Sequence, residues 1–178
     1  MSKKYKLTDE TINLNGVTLY RIEALKYFGE IKKGDKGGFI ESENNLAHEG
    51  DAWVSDNAHV YGDANVCDDS SVFGSAFVYD NAHVYGDALV RGYACVCGDA
   101  EISNKSDYIV FQNWWSSGRY FTWTRSNNMW SVGCFYGTGE ELIKKAYKDS
   151  ELSGREYERV VRYVESILAE ENLSKGTN

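Results

Sequence analysis

The chain contains no proline, two methionines, three histidines and four cysteines in 178 residues. The lack of proline argues against a disordered linker, and an aromatic content of 14% points to a well-packed body. The cysteines (Cys67, Cys95, Cys97 and Cys134) follow no framework spacing, which argues against a disulfide scaffold and makes a reducing cytoplasm the default location. No apolar run reaches membrane-spanning length and the N-terminus lacks a signal-peptide core, so neither membrane insertion nor export is expected. Bases are scarce in one region. Residues 50–103 hold nine acids against one base, Arg91, and the remaining sequence is balanced, so the whole net charge of −8 lies in that stretch. Such a segment disfavours direct binding of nucleic acid or another polyanion. The same charge suits the opposite role, a surface that imitates an anion for a basic partner.

That stretch is also where the sequence repeats. GDAWVSDNAHVYGDANVC opens nine consecutive blocks of six residues, from Gly50 to Ser103, with no insertion. The fifth place is Val54, Val60, Val66, Val72, Val78, Val84, Val90, Val96 and Ile102; the third is alanine except for Ser70. An amphipathic helix spaces its apolar residues by three or four, and a hairpin alternates before turning into a new register. A strict period of six with one β-branched and one tiny residue fits a parallel solenoid. The valine fills the core from a short strand, and the alanine or serine sits where the chain bends. Gly, Asp and Asn at the block boundary tolerate the angles of a corner, and Asx side chains bond to the turn backbone.

The blocks resemble the hexapeptide repeat of left-handed β-helices, aliphatic-x-Gly-x-small-x. Val54, Asp56, Ala58 and then Val60, Gly62, Ala64 match it as they stand. The resemblance implies three blocks per triangular coil and therefore three coils. The expected fold is mainly β: a three-coil left-handed parallel β-helix over 50–103, an N-terminal β-hairpin cap over 1–49, and a small C-terminal β/α domain over 104–178. A cap is needed because the end strands of a solenoid expose unpaired edges. Asn15-Gly16, between TINL and VTLYRI, marks a hairpin turn, and Gly34 to Ser42 reads as a glycine-rich bend into the first coil. In the C-terminal part DYIVF, RYFTWTR and NMWSVGCF read as about three strands. Thr138 with Glu141 fits a capping box, followed by the stripe Leu142, Ile143, Ala146 and Tyr147. A second helix, from about Ser153 to Glu170, carries Tyr157, Val160, Val161, Val164 and Leu168 on one face, and ENLSKGTN reads as a frayed tail.

The whole chain is similar to a group of phage and prophage proteins. These open with a short hairpin and a GGFIES-like segment, continue in six-residue blocks, and end in a small domain with a motif like Gly-Cys-Phe-x-Gly-Thr. Here the segments are Gly37 to Ser42 and Gly133 to Thr138. The similarity implies a phage origin, and with it action in the host cytoplasm. It brings no settled activity.

The best-known relatives of the resembled fold are acyltransferases, which use acyl-CoA or acyl carrier protein and commonly a histidine base. Of His48, His59 and His83, the latter two occupy the outward fourth place of identical DNAHVY blocks. The plainer reading of both is a surface imidazole on a repeated template. No loop interrupts the repeat, and Arg91 stands alone against the phosphates of CoA. No catalytic residue and no cofactor are therefore assigned.

Stacking the blocks in threes gives three outer faces. Face one carries Trp53, Ser71, Leu89 and Ser55, Phe73, Arg91; face three carries Asn65, His83, Glu101 and Cys67, Tyr85, Ser103. Face two carries His59, Phe77, Cys95 and Tyr61, Tyr79, Cys97. An apolar, aromatic face is an unlikely surface to leave wet, so face two is expected to make a contact, with a second copy or with the C-terminal domain folded back. Cys95 and Cys97 share one side of a strand, but zinc needs four ligands, and no metal is assigned. The corner column Asp51, Asp69 and Asp87 has the oxygens to hold calcium, although solvated turn carboxylates are the preferred reading. Cys134 is expected in the core. Trp114, Trp115, Tyr120, Trp123 and Trp130 read first as core, yet Arg119 and Arg125 are interleaved with them, a combination that stacks a base or nucleotide.

The sequence-based expectation is a non-enzymatic counter-defence protein. It would engage a host protein with a basic surface, such as a nucleic-acid-binding nuclease, through Asp51, Asp69, Asp87 and the face-two residues His59, Tyr61, Phe77 and Tyr79. A sponge for a nucleotide signal, held by Trp114, Trp115, Arg119, Trp123 and Arg125, and a hexapeptide acyltransferase using His59 or His83 are the alternatives. A homo-oligomer, dimer or trimer, is expected.

Overall fold

The computed structural model describes residues 3–175. β1 (Tyr5–Leu14) and β2 (Val17–Ala24) form the expected antiparallel hairpin. Asn15 and Gly16 join them at φ 52° and 93°, the positive values an Asn-Gly pair adopts at little cost. β3 (Lys36–Ile40) pairs antiparallel with β2.

Nine two-residue strands follow: β4 (Trp53–Val54), β5 (His59–Val60), β6 (Asn65–Val66), β7 (Ser71–Val72), β8 (Phe77–Val78), β9 (His83–Val84), β10 (Leu89–Val90), β11 (Cys95–Val96) and β12 (Glu101–Ile102). They pair in parallel in three ladders, β4–β7–β10, β5–β8–β11 and β6–β9–β12. The result is a parallel β-solenoid of about four turns. Every fifth-place residue from Val54 to Ile102 is 0% exposed, and no third-place residue exceeds 1%. The repeat therefore specifies its core by shape, one branched side chain filling and one tiny side chain admitting the bend.

The parallel ladder begins before the repeat. Phe39 and Ile40 pair in parallel with His59 and Val60, and Leu46 bridges Val66. Ile40 and Leu46 stand six apart like the valines, and both are fully buried. Two extra residues between Leu46 and Val54 break the count. The open end beneath is closed by side chains. Lys4 donates from Nζ to the Ala52 carbonyl at 2.8 Å, Tyr5 from its hydroxyl to Leu46 at 2.7 Å, and Asn45 from Nδ2 to Gly62 and Ala64 at 2.9 and 2.8 Å.

The corners use one device throughout. Asp56, Asp68 and Asp80 sit at φ 55–58°, and the glycines at the same place in the other blocks at 61–76°. The three carboxylates also accept an N–H from one coil further on: Asp56 from Gly74 at 3.0 Å, Asp68 from Gly86 at 3.0 Å and Asp80 from Gly98 at 3.2 Å.

A four-stranded antiparallel sheet closes the other end: β13 (Tyr108–Gln112), β14 (Tyr120–Thr124), β15 (Met129–Val132) and β16 (Phe135–Gly137). NMWSVGCF, expected as one strand, folds back on itself at Gly133, where φ is +59°. Alternation gives the sheet two faces. Tyr108 and Val110 pack on the solenoid core, whereas Ile109, Phe111, Phe121, Trp123, Trp130 and Val132 pack under two helices. These are α1 (Gly139–Asp149) and α2 (Glu151–Lys175). Thr138 and Glu141 form the capping box the spacing predicts. Tyr147, expected in the apolar stripe, is exposed and donates to Glu158 at 2.8 Å. The tail expected to fray continues α2 as far as Lys175; residues 176–178 of that expectation lie outside the described residues. No described helix is long and apolar enough to cross a membrane.

Candidate functional site

Face two forms a stacked column. His59 lies between Phe39, with centroids 5.7 Å apart, and Phe77, at 4.6 Å, the rings within 19° of parallel. Arg21 covers Phe39 at 4.2 Å. The Nδ1 atom of His59 is enclosed with no hydrogen-bond partner among the described residues, and burial, assisted by Arg21, holds the imidazole below its ordinary pKa. Beside this column Tyr61 and Tyr79 stack at 5.1 Å and 5°. Burial pushes both phenols up, Tyr61 to about 12. His59, Phe77, Tyr61 and Tyr79 are half-buried, because each ring shields the next. His83 is half-buried too, with Nε2 3.2 Å from the Cys67 sulfur and its ring against Tyr85 at 4.8 Å. Neither histidine is the exposed imidazole that the outward register suggests.

The upper end of face two is covered by the C-terminal sheet. Cys95 N–H donates to Thr122 Oγ1 at 2.9 Å, and Ser131 Oγ donates to Cys95 Sγ at 3.1 Å. Cys97, expected on the outside, is 2% exposed. Hydrogen bonds from the Cys97 thiol, then from Ser131 and Tyr79, hold the Cys95 thiol below its ordinary pKa, and Cys97 is pushed up correspondingly. Trp53, outward by register, is likewise buried, edge-on to Phe28 at 5.3 Å and to Tyr5 at 6.3 Å in the N-terminal segment. Cys134 departs from expectation in the other direction: it is exposed at the β15–β16 turn rather than in the core.

Asp51, Asp69 and Asp87 are exposed at one corner, and Asp69 Oδ1 accepts the Asp51 N–H at 3.0 Å. Among the described residues no group of three or more ligand-type side chains is placed to hold a metal ion.

The Trp/Arg set does not converge on one pocket. Trp123 and Trp130 are core, and Trp115 packs edge-on to Tyr157 at 5.2 Å with its indole N–H enclosed and without a partner among the described residues. Trp114 is 79% exposed. Arg125 pairs with Glu171 at 2.6 Å and lies over Trp123, while Arg119 is exposed and lies against Gly133.

A groove of about 960 Å³ lies instead where the last coils meet β13 and β14. Its walls include Phe73, Leu89, Tyr93, Tyr108 and Tyr120, with Tyr93 and Tyr120 stacked at 4.3 Å. Arg91 and Lys105 line it as well. Tyr108 anchors one side, its hydroxyl donating to the Leu89 carbonyl at 3.0 Å and accepting the Arg91 N–H at 3.3 Å. The sequence signal was slight: Arg91, the single base of the repeat, followed two residues later by Tyr93 where the other blocks have Asp, Asn or Ser.

No family model matches the chain, and no curated protein matches it.

Proposed function

We propose that the chain is a non-enzymatic binding protein of phage origin, a left-handed β-helix whose acidic outer surface engages a basic host protein. One observation carries this reading: all nine acids of the repeat, Asp51, Asp56, Asp63, Asp68, Asp69, Asp80, Asp87, Asp99 and Glu101, are exposed. Asp56, Asp68 and Asp80 also tie one coil to the next. Asp51, Asp69 and Asp87 then form a line of carboxylates with a step of about 4.8 Å, the spacing of adjacent strands. A rigid solenoid presents that line without the ordering cost a flexible acidic segment would bear. The stacked rings of His59, Tyr61, Phe77 and Tyr79 supply a second, aromatic surface for the same contact. Occupying a nucleic-acid-binding cleft such as that of a nuclease is the counter-defence role that suits this charge.

The acyltransferase reading is less favoured. His59 Nδ1 has no hydrogen-bond partner among the described residues to orient the ring, and cationic Arg21 lowers its basicity. Assembly as a dimer or trimer, through face two or the helices, belongs to the same proposal. The test is capture from host lysate by the wild-type chain and by the triple variant Asp51→Asn, Asp69→Asn, Asp87→Asn, with native mass spectrometry of the product. A basic protein retained by the wild type, released by salt and missed by the variant supports the reading. Retention that ignores both salt and the substitutions sinks it.

A further inference from the structure

At three corners the residue one coil below is a glycine and offers no carboxylate: Asp68 stands over Gly50, Asp80 over Gly62 and Gly92 over Gly74, and of these three upper residues Gly92 is the one that lines the groove described above. In each column a glycine N–H meets a carboxylate from one coil below: Gly62 meets Glu41 at 2.8 Å, Gly74 meets Asp56 at 3.0 Å, Gly86 meets Asp68 at 3.0 Å and Gly98 meets Asp80 at 3.2 Å. Gly92 continues the Asp56–Gly74 column, and the residue beneath it is Gly74, which has no side chain to offer. The two stand in direct register. A Cβ added to Gly74 would lie 3.0 Å from the Gly92 nitrogen, and Ser75 donates to the Gly92 carbonyl at 2.8 Å. A Cβ added to Gly92 would meet nothing within 4 Å.

The space left by the missing carboxylate is part of the groove described above, and the charge around it is reversed. The groove is lined by two bases, Arg91 and Lys105, and by no acid, in a chain of net charge −8. Gly92 itself stands between Arg91 and Tyr93. Tyr93 is 55% exposed even though it stacks on Tyr120, and Leu89 is 43% exposed. A backbone N–H with no carboxylate beneath it among the described residues, flanked by bases, is a place for an anionic oxygen, and an exposed ring beside it is a place for a planar base.

We propose that this groove binds a free nucleotide. A phosphate oxygen takes the position on the Gly92 N–H that a carboxylate fills on Gly62, Gly74, Gly86 and Gly98. Arg91 and Lys105 balance its charge, and the base lies against Tyr93. The volume is that of a small-molecule site. A nucleic acid chain is disfavoured because its further phosphates would run onto the exposed carboxylates of the coils. This inference is independent of the protein-partner reading, which uses a different column and a different face.

The decisive variant is Gly74→Asp. It restores the pattern, since aspartate already sits at the equivalent corner at Asp56, Asp68 and Asp80 with positive φ. Calorimetric titration at low salt with ADP, GDP, UDP and cyclic di-AMP, alongside adenosine and inorganic phosphate, reads the outcome. At least one nucleotide is expected to bind more tightly than adenosine or phosphate, and Gly74→Asp to weaken it by about tenfold or more at an unchanged or higher unfolding temperature. Arg91→Ala and Lys105→Ala each weaken the same titration. Should Gly74→Asp fail to fold, the double variant Arg91→Glu, Lys105→Glu takes its place with the same threshold. The proposal is overturned if none of the four nucleotides binds at about 1 mM, or if the decisive variant leaves the affinity within about twofold. Tighter binding of a single-stranded oligonucleotide than of any nucleotide overturns it as well.

Discussion

Asp68 accepts the N–H of Gly86, one coil away, through Oδ2 at 3.0 Å, while its own backbone stands at φ 58°. One residue thus bears the turn and ties two coils together. Alanine at this place loses the charged hydrogen bond and strains the backbone. Asp68→Ala is expected to lower stability by about 1–2 kcal/mol, and Asp68→Asn, which keeps an acceptor and tolerates positive φ, by about 0.5 kcal/mol or less. Urea unfolding of the two variants measures the difference.

Lys4 is 0% exposed, and its ammonium donates to the carbonyls of Ala52, Gly50 and Glu49 at 2.8, 3.3 and 3.4 Å. Burial lowers its pKa to about 8. Because the folded value lies below the unfolded one, the unfolded chain holds the extra proton between about pH 8 and 10.5, and this group makes stability rise with pH across that window. Lys4→Met removes the donors and leaves buried carbonyls unpaired, at a cost of about 1–3 kcal/mol. Comparing wild-type and variant urea midpoints at neutral pH and at the upper end of the window isolates the Lys4 contribution, which should grow.

His59 is held neutral between Phe39 and Phe77. Its folded pKa is below the unfolded one, so stability falls as pH drops through the ordinary histidine range, where the unfolded chain takes up a proton and the folded chain resists. His59→Phe continues the aromatic stack without the enclosed Nδ1. Its thermal midpoint should match the wild type near neutrality and exceed it in mild acid. A variant that loses stability equally at both values would show that His59 makes a bond the enclosed nitrogen does not suggest.

The Cys95 thiolate has donors in Cys97, Ser131 and Tyr79. Ultraviolet absorbance of thiolate should therefore appear at a pH below the ordinary cysteine range, disappear in Cys95→Ser, and shift upward in Ser131→Ala. An unshifted transition in Ser131→Ala would exclude the 3.1 Å hydrogen bond as a cause.

Thr122 accepts the Cys95 N–H at 2.9 Å and Ser126 the Glu101 N–H at 2.8 Å, so hydroxyls of β14 and of the turn that follows it stand in for the next coil. Thr122→Val keeps the shape and removes the acceptor. It should cost about 1–3 kcal/mol and accelerate hydrogen exchange at the Cys95 amide.

The valines show why the solenoid was legible: a period of six with one branched residue admits no helix and no simple hairpin. Asn15-Gly16 and the Thr138–Glu141 box were equally readable, since turn and cap chemistry is local. Ile40 and Leu46 carried the same period and were hidden by a slip of two residues before Val54. Register placed Trp53 and Cys97 outside, and only the segments that cover them, Tyr5 with Phe28 and the sheet bearing Thr122 and Ser131, put them in. The groove is of that second kind. Arg91, Lys105 and Tyr120 have no shared pattern along the chain, and they meet because the sheet docks on the last coil. The sequence alone determined the local unit, because its physics repeats within six residues. Which outer residues stay outside, and where a base can gather beside a ring, depended on how the two ends of the solenoid are closed, and that is settled by contacts between residues distant in the chain.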